Sequence, residues 1–588
     1  MRHRTNLKPE PTGAAGAPKA RSSVRPVIPP NNDVWRILFL MGAAVRLISA
    51  YVNIVHDCDE VFNYWEPLHQ LLYGYGKQTW EYSPLFALRS YFYLLIHMVV
   101  AGPIRVIAGE HFGKTAVFYA VRSALGVTQA VCDIYLSKAL ASAAGMNAAG
   151  LCWFLLTTNA GMFFASTALL PSSFTMTALT AATAASLQGH QHVVIATAAV
   201  GALLGWPFAA LALLPVCLRA LWLMPRRAVG LALLWAILTL TPQVAADRVF
   251  YGRWTFSQAN LLMYNVGGEG DSQLYGTEGP LFYFRNMANN LNVILPLALL
   301  LFAVDLLAAL RPPLSPDVPL DQSRVGLYIT YSAFPIWLTA MSLAAHKEER
   351  FLYVVYPVMC MAAALALSMA PEAAGNIVPK SMRVKVVGGM HHLVGLLLCV
   401  YLLLSVARIA ALLANYGAPM QILRSLPPAD ATLEPSDGGL KYVCVGDEWH
   451  RFPSAFFLPS PKYRLAFIDS SFGGLLPADF NSTGLGTSGA SPFLNGANRK
   501  AAEHLHPSAA CDFLVEFQRL NQNGRVPEEW NEKESVQSSQ VSGVWHIVAK
   551  KAFLDASQSP TLTRALYIPV LSGKKNVFGQ YLLLQRGS

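Results

Sequence analysis

The sequence predicts an all-α polytopic membrane protein of about 11 transmembrane helices, carrying a small α/β domain at its C-terminal end. Three observations lead there. Of 588 residues, 54% are hydrophobic and only 13% are charged, too apolar a balance for one soluble core. The apolar residues also come in runs of about 20, the length a bilayer requires of a helix. Finally, Lys and Arg gather in loops beside those runs, where the positive-inside rule puts them. The net charge of +10 therefore needs no nucleic-acid partner, and no RNA or DNA motif is present.

Residues 1–33 hold six Lys and Arg among Ala, Gly and Pro without an apolar core. They predict a disordered basic cytosolic tail rather than a cleaved signal peptide. Apolar runs follow near 34–55, 88–108, 115–142, 147–165, 167–187, 192–222, 228–250, 291–311, 325–345, 351–371 and 388–415. An odd number of crossings carries the C-terminal end to the far side of the membrane from the tail. Arg226, Arg227, Arg311, Lys380, Arg383 and Lys385 then all fall in cytosolic loops. The loop 56–87, the stretch His346–Arg350 and residues 416–588 face the opposite compartment. The expected division is thus tail 1–33, transmembrane domain 34–415 with the far-side loop 56–87, and far-side C-terminal domain 416–588.

In that last part, short apolar runs such as Lys441–Val445, Leu465–Ile468 and Val544–Val548 alternate with Gly, Pro and Ser, which predicts the α/β domain. Asn481-Ser482-Thr483 is a sequon, so Asn481 is a glycosylation candidate if the domain is lumenal or external. The eight cysteines are scattered without metal-ligand spacing, and Cys444 with Cys511 is the plausible disulfide pair. No repeat of fixed period is present.

Two constellations carry chemistry. The loop after the first run holds Asp57, Asp59, Glu60, Glu66 and Glu81 among aromatic residues. Carboxylates at a membrane face stay in water and can act on a polar substrate, and aromatic rings there suit a lipid or a sugar. The adjacent Asp59 and Glu60 can poise one another's proton affinity for proton transfer. A solvated, inert loop with an aromatic belt is the plain alternative. The second constellation is His346-Lys347-Glu348-Glu349-Arg350-Phe351. On a helix its three cations share a face and can hold a phosphate; simple snorkelling to the interface is the alternative. Residues 257–290, with Tyr264, Asn265 and Tyr275, form a polar, aromatic interruption that either lines a site or merely connects. Arg122, with Asp133 further along the same run, reads as a structural pair or a boundary charge.

The wording of these segments resembles a known family. His56-Asp57-Cys58-Asp59-Glu60 with Asn63-Tyr64-Trp65-Glu66-Pro67, and Gln78-Thr79-Trp80-Glu81-Tyr82-Ser83-Pro84 with Arg89, resemble the endoplasmic-reticulum alpha-1,2-mannosyltransferases of lipid-linked N-glycan precursor assembly, multi-spanning enzymes of GT-C type in glycosyltransferase family 22. So do Leu170-Pro171-Ser172-Ser173, Tyr264-Asn265-Val266 with Leu274-Tyr275-Gly276, the 346–351 stretch, and Glu448-Trp449 with Arg451-Phe452-Pro453. The sequence departs from the pattern at Leu85, Gly279, Pro280 and His450.

The resemblance implies transfer of mannose from dolichyl phosphate mannose to dolichol-diphosphate-linked oligosaccharides of six and eight mannoses, with inversion, at a lumenal site in the endoplasmic-reticulum membrane and among its lipids. Asp59, or else Glu60, is the implied base, and Lys347, Arg350 and His346 the groups facing the donor phosphate. Asp57, Asn63, Trp65, Glu66, Trp80, Glu81, Tyr82, Arg89, Tyr264, Asn265 and Tyr275 are the implied substrate contacts. No cofactor or metal is called for. The alternatives are a sister mannosyltransferase of glycosylphosphatidylinositol-anchor or alpha-1,6-branch synthesis and, in another class, a lipid or solute transporter.

Overall fold

The computed structural model describes residues 32–108, 113–266, 272–309, 322–427, 439–481, 487, 489–519, 535–536, 538 and 540–587. The basic tail expected over 1–33 lies almost wholly outside these residues, as does Arg311. Among them, four helices are long and apolar enough to cross a membrane: Asn32–Val52, Pro225–Tyr251, Glu349–Ile377 and Lys380–Tyr416. A fifth arises if Phe282–Asn290 and Ile294–Leu306, bent by 117°, count as one span. Shorter apolar helices pack between these.

The first helix sets the frame. Asn32–Val52 runs antiparallel to Gly113–Ala144, because Asn53 meets Arg122, Arg46 meets Asp133 and Trp35 meets Lys138. Arg46 is 1% exposed, pairs with Asp133 at 3.0 Å, and donates to the carbonyls of Leu156 and Met162 at 2.7 and 3.0 Å. A guanidinium enters an apolar bundle only with such full pairing. Asp133 thus pairs with Arg46 rather than with Arg122, which instead donates to the Asn53 carbonyl at 2.9 Å and to Thr167 at 3.3 Å. Small residues permit close helix approach: a Cβ on Gly201 would stand 2.7 Å from the Ala178 methyl.

Two apolar runs fold differently from expectation. The run 88–108 forms the helix Tyr91–Ala108, and both its ends lie against the first loop. At one end Tyr91 packs on Tyr82, and at the other Arg105 lies over the Tyr73 ring. The next helix also starts there, with Lys114 donating to Tyr75 Oη at 2.6 Å. Both ends of this helix therefore meet one segment of the chain, and at 18 residues it is among the shorter apolar helices. The run 192–222, conversely, is two apolar helices, Gln191–Gly205 and Pro207–Leu223. Pro207 disfavours a helical residue before it, and Trp206 is extended (φ −124°).

Beyond Lys380–Tyr416, residues 439–587 build a six-stranded mixed sheet. Its strands are β2 (Lys441–Val445), β3 (Tyr463–Phe467), β5 (Phe513–Gln518), β6 (Ser535–Val536), β7 (Trp545–Leu554) and β8 (Phe578–Arg586), in the order β3-β2-β5-β8-β7-β6. β2 is parallel to both its neighbours, and β8 is antiparallel to both of its own. Two further short strands, β1 (Lys77–Gln78) and β4 (Ala478–Asp479), pair antiparallel and stitch this part to the first loop. Tyr567 N–H donates to the Ala407 carbonyl and Thr487 N–H to that of Phe250, so segments flanking the sheet pack on the C-terminal portions of two long helices. Cys444 and Cys511 are disulfide-bonded across 67 residues, as expected.

Replacing both cysteines with Ser should destabilise this sheet by on the order of 4 kcal/mol, the loop-closure value for that separation. The check is thermal unfolding in detergent followed by a probe in the C-terminal part. An unchanged midpoint would show that the bridge constrains nothing.

Candidate active site

The stretch after Val52 folds as a chain of short turns. Asp57 accepts the Asp59 N–H at 2.8 Å and so caps the turn Cys58–Glu60. A five-residue π-turn, Val61–Trp65, follows and leads into the helix Glu66–Tyr73. Such turns are wider than an α-turn and recur at functional sites. Here the turn directs Phe62, Asn63 and Tyr64 into the same cavity as Asp59.

That cavity, of about 480 Å³, lies between the first loop, the helix ends and loops of the C-terminal part. Ten of the residues expected at a site line it: Asp59, Asn63, Trp80, Glu81, Arg89, Tyr264, Asn265, Tyr275, His346 and Arg350. Arg89 holds Glu81 in a fork, with Nε at 2.8 Å and Nη2 at 3.1 Å, and donates to Tyr64 Oη at 2.8 Å. Trp80 packs against Tyr264 at 5.1 Å between ring centres. Asn63 accepts from Thr79 Oγ1 at 2.7 Å.

Six expected residues lie elsewhere. Glu60 is 3% exposed and accepts from Trp65 Nε1 and Leu169 N–H, both at 2.9 Å. Burial raises its proton affinity against the opposing pull of Arg122, and its oxygens brace the loop rather than meet a substrate. Trp65 is the buried donor in that pair, and Tyr82 is buried with its hydroxyl on the Asn63 carbonyl at 2.8 Å. Glu66, fully buried, accepts from Ser454 Oγ at 2.9 Å and Ala455 N–H at 2.6 Å, binding the C-terminal part to the loop. Asp57 lines a smaller cavity of about 260 Å³ on the other side of the loop. Lys347 is buried, and its ammonium donates to the carbonyls of Glu278, at 2.7 Å, and Ala344. The expected helical face of three cations does not form, because residues 346–348 are extended or bent and the 3₁₀ turn begins only at Glu349. Asn481 is exposed, with Nδ2 donating to Gly489 O at 3.2 Å; Ser482 and Thr483 lie outside the described residues.

Arg350 is the junction. Its guanidinium pairs with Asp59, with Asp57 at 3.1 Å and with Glu348. His346 places Nε2 2.8 Å from Glu348 Oε1 and Nδ1 2.9 Å from the Gly276 carbonyl. Both partners are acceptors, so both ring nitrogens carry protons, and the bond to Glu348 raises the pKa of the imidazole accordingly. Glu348 is held down to about 2: Arg350 and His346 outweigh the burial that would raise it. Asp57 is pushed up to about 7, chiefly by burial, with Glu348 and Asp59 adding repulsion that Arg350 only partly offsets. Cys58 also brings its thiol within 4.8 Å of the Asp57 and Asp59 carboxylates, a ligand grouping the sequence did not reveal; Arg350 pairs with both of those carboxylates.

Glu348 stands between two expected cations, and only its acidic charge kept it from a phosphate-binding reading. Trp206, Trp449, Phe472 and Asn498 also line the cavity. Pro207 marks Trp206 as a break in an apolar run, and Trp449 lies in a segment with a family-like pattern, but Phe472 and Asn498 carry no local signal.

Asp57 has a pH signature. Its native-state pKa lies above the ordinary 3.8, so the folded chain holds the proton more tightly, and stability falls as pH rises from about 4 to 7. Asp57→Asn keeps the cap and abolishes this slope. Between pH 5 and 8 the variant should lose on the order of 1 to 3 °C less in Tm than the parent; equal losses would place the titration elsewhere.

Comparison with known proteins gives a consistent family. The model of the Alg9-like mannosyltransferase family matches residues 37–459. "Alpha-1,2-mannosyltransferase ALG9" of Arabidopsis thaliana is 39% identical over 556 residues, covering 94% of this chain and 92% of that protein. The Homo sapiens protein of the same name is 33% identical over 590 residues, covering 99% and 91%. Among solved structures, ArnT from Cupriavidus metallidurans bound to undecaprenyl phosphate aligns over 74% of this chain and 86% of its own at 14% identity, with a TM-score of 0.48.

Proposed function

The chain belongs to the Alg9-like mannosyltransferase family, and on that premise we propose that it transfers mannose in alpha-1,2 linkage from dolichyl phosphate mannose to dolichol-diphosphate-linked oligosaccharides of six and eight mannoses during N-glycan precursor synthesis. The observation that carries the reading is the meeting of Asp59 and Arg350, 291 residues apart, at one cavity. A base and a phosphate-binding cation must stand together where a hydroxyl displaces a phosphate from a sugar. Family membership also speaks against the transporter alternative.

The donor is a beta-linked mannosyl phosphate and the product an alpha linkage, so one displacement with inversion suffices. Asp59, whose side chain is 40% exposed, takes the proton of the acceptor hydroxyl as its oxygen attacks the anomeric carbon. Dolichyl phosphate leaves from the opposite face, its developing charge met by Arg350 and the His346 imidazolium. Arg350 pairs with Asp59. An arriving phosphate competes for that guanidinium and releases the carboxylate to act as base. Arg89 and Glu81, locked together, position the loop and offer polar edges to sugar hydroxyls.

The enzyme sits in the endoplasmic-reticulum membrane with this cavity lumenal and its N-terminal tail cytosolic. Eleven crossings satisfy that topology: Asn32–Val52, Gly113–Ala144, Met146–Thr158 continued by Ala160–Ala165, Pro171–Leu187, Gln191–Gly205, Pro207–Leu223, Pro225–Tyr251, Ile294–Ala309, Gln322–Tyr331 continued by Ala333–Leu343, Glu349–Ile377 and Lys380–Tyr416. Tyr91–Ala108 then lies at the lumenal surface. Residues 416–588 form the lumenal domain.

Purified protein given dolichyl phosphate mannose and a six-mannose lipid-linked acceptor should add one mannose, released again by an alpha-1,2-specific mannosidase. Resistance of the product to that enzyme would favour the alpha-1,6 sister activity, and absence of product with either acceptor would refute the reading.

Asp59→Asn should lower kcat by about 100- to 10,000-fold with both lipids still bound, the usual cost of losing a general base. Glu60→Gln keeps the brace to Leu169 and should lower kcat less than tenfold. The reverse ranking would move the base to residue 60.

A further inference from the structure

The cavity is built from two chemically different halves. Its acidic and basic lining residues, Asp59, Glu81, Arg89, His346, Glu348 and Arg350, all precede residue 351. The C-terminal domain contributes Trp449, Phe472, Leu475, Leu476, Pro477 and Asn498, and none carries a charge. Resting on the function proposed above, we infer that this uncharged wall is the binding subsite for the neutral sugars of the acceptor glycan. The domain thereby selects the acceptor, while the charged half takes the donor.

The two substrates differ in just this respect at their reacting ends. The donor brings a phosphate to the displaced bond and needs cations. The acceptor brings hydroxyls and C–H faces, which are bound by aromatic rings and by neutral amides. Trp449 offers such a ring. It packs 4.6 Å from Phe472 and 6.2 Å from Phe62, which follows Asp59 by three residues and opens the π-turn next to the capped turn that holds it. A sugar on Trp449 therefore lies beside the base that must deprotonate it.

Asn498 offers the amide. Its Oδ1 accepts the Leu475 N–H at 2.9 Å, and a backbone N–H can only donate, so the orientation of the amide is settled. The NH₂ group then points away from Leu475 with two donors free of a protein partner among the described residues. Asn498 holds φ +51°, a left-handed conformation that Asn and Asp tolerate better than most side chains.

The wall is also fixed relative to the base. Phe480 N–H donates to Gly76 O at 3.1 Å, Lys77 Nζ reaches Asp479 Oδ1 at 2.6 Å, and Glu66 grips Ser454 and Ala455. Asp59, Gly76 and Lys77 belong to one loop, so the sugar platform and the proton acceptor share a single support. Positioning of that kind is what converts binding into rate.

Two measurements test the assignment. The first titrates detergent-purified parent and variants with the free neutral manno-oligosaccharide, lacking lipid and diphosphate, by saturation-transfer NMR, which needs no turnover. Trp449→Ala should weaken binding by about five- to twentyfold and Trp449→Phe by much less, since the ring remains. Asn498→Asp keeps the acceptor for Leu475 N–H and removes both donors, so it should weaken binding without lowering the unfolding midpoint. The second measurement varies each lipid substrate in turn; acceptor KM should rise in Trp449→Ala and Asn498→Asp with donor KM unchanged. Equal glycan binding by parent and both variants overturns the assignment, as does a rise confined to donor KM. Glycan binding that depends on Trp449 in a protein that transfers no mannose would instead leave the subsite standing and refute the transferase reading.

Discussion

One guanidinium holds the site together. Arg350 starts the penultimate long helix and pairs with Asp57, Asp59 and Glu348, so the first loop and the 346–350 turn share a single ionic knot. A charge so placed must be matched, because a lone cation in a desolvated site costs several kcal/mol. The matching is uneven: three carboxylates face one Arg and one imidazolium, and the surplus falls on Asp57, whose proton is retained up to about pH 7. The knot is therefore close to neutral.

The same rule governs charges deeper in the bundle. Arg46 has Asp133 and two carbonyls, and Arg122 has a carbonyl and a hydroxyl. Both act on the helix that enters the first loop, Arg46 from within it and Arg122 at the Asn53 carbonyl just past its end. Glu60 and Glu66 extend the pattern into the loop itself, one bonded to Leu169 and the other to the C-terminal domain. Of the five acids in this loop, the structure commits Glu60 and Glu66 to architecture, turns Asp57 to the cap and the smaller cavity, and leaves Asp59 and the Arg89-paired Glu81 on the main cavity. That division explains how neighbours as alike as Asp59 and Glu60 come to have different duties.

Residue spacing alone could not separate them. Asp59 and Glu60 are equivalent in sequence, and only the direction of the capped turn sends one outward and the other beneath Leu169. Lys347 looks like its neighbours His346 and Arg350 until the backbone proves extended there, which turns its ammonium onto two carbonyls. Similarly, hydropathy reports that 88–108 and 192–222 are apolar but not how they run. A run that breaks at Trp206 and one whose two ends meet the same loop both satisfy a length criterion.

The sequence by itself determined the class of the molecule: apolar runs and basic loops describe a polytopic membrane protein, because bilayer solvation depends on composition and length, while the family-like wording of the 56–84 and 346–351 segments, not composition, pointed to an enzyme. It also determined the Cys444–Cys511 pairing and the two segments that meet at the cavity, since side-chain chemistry confines phosphate binding and proton transfer to few residue types. Only the tertiary structure decided which acids face the cavity, that Glu348 completes the knot, and that Trp449 and Asn498 close its far wall. Those outcomes depend on contacts between residues hundreds of positions apart, and no local pattern encodes the angle at which such segments meet.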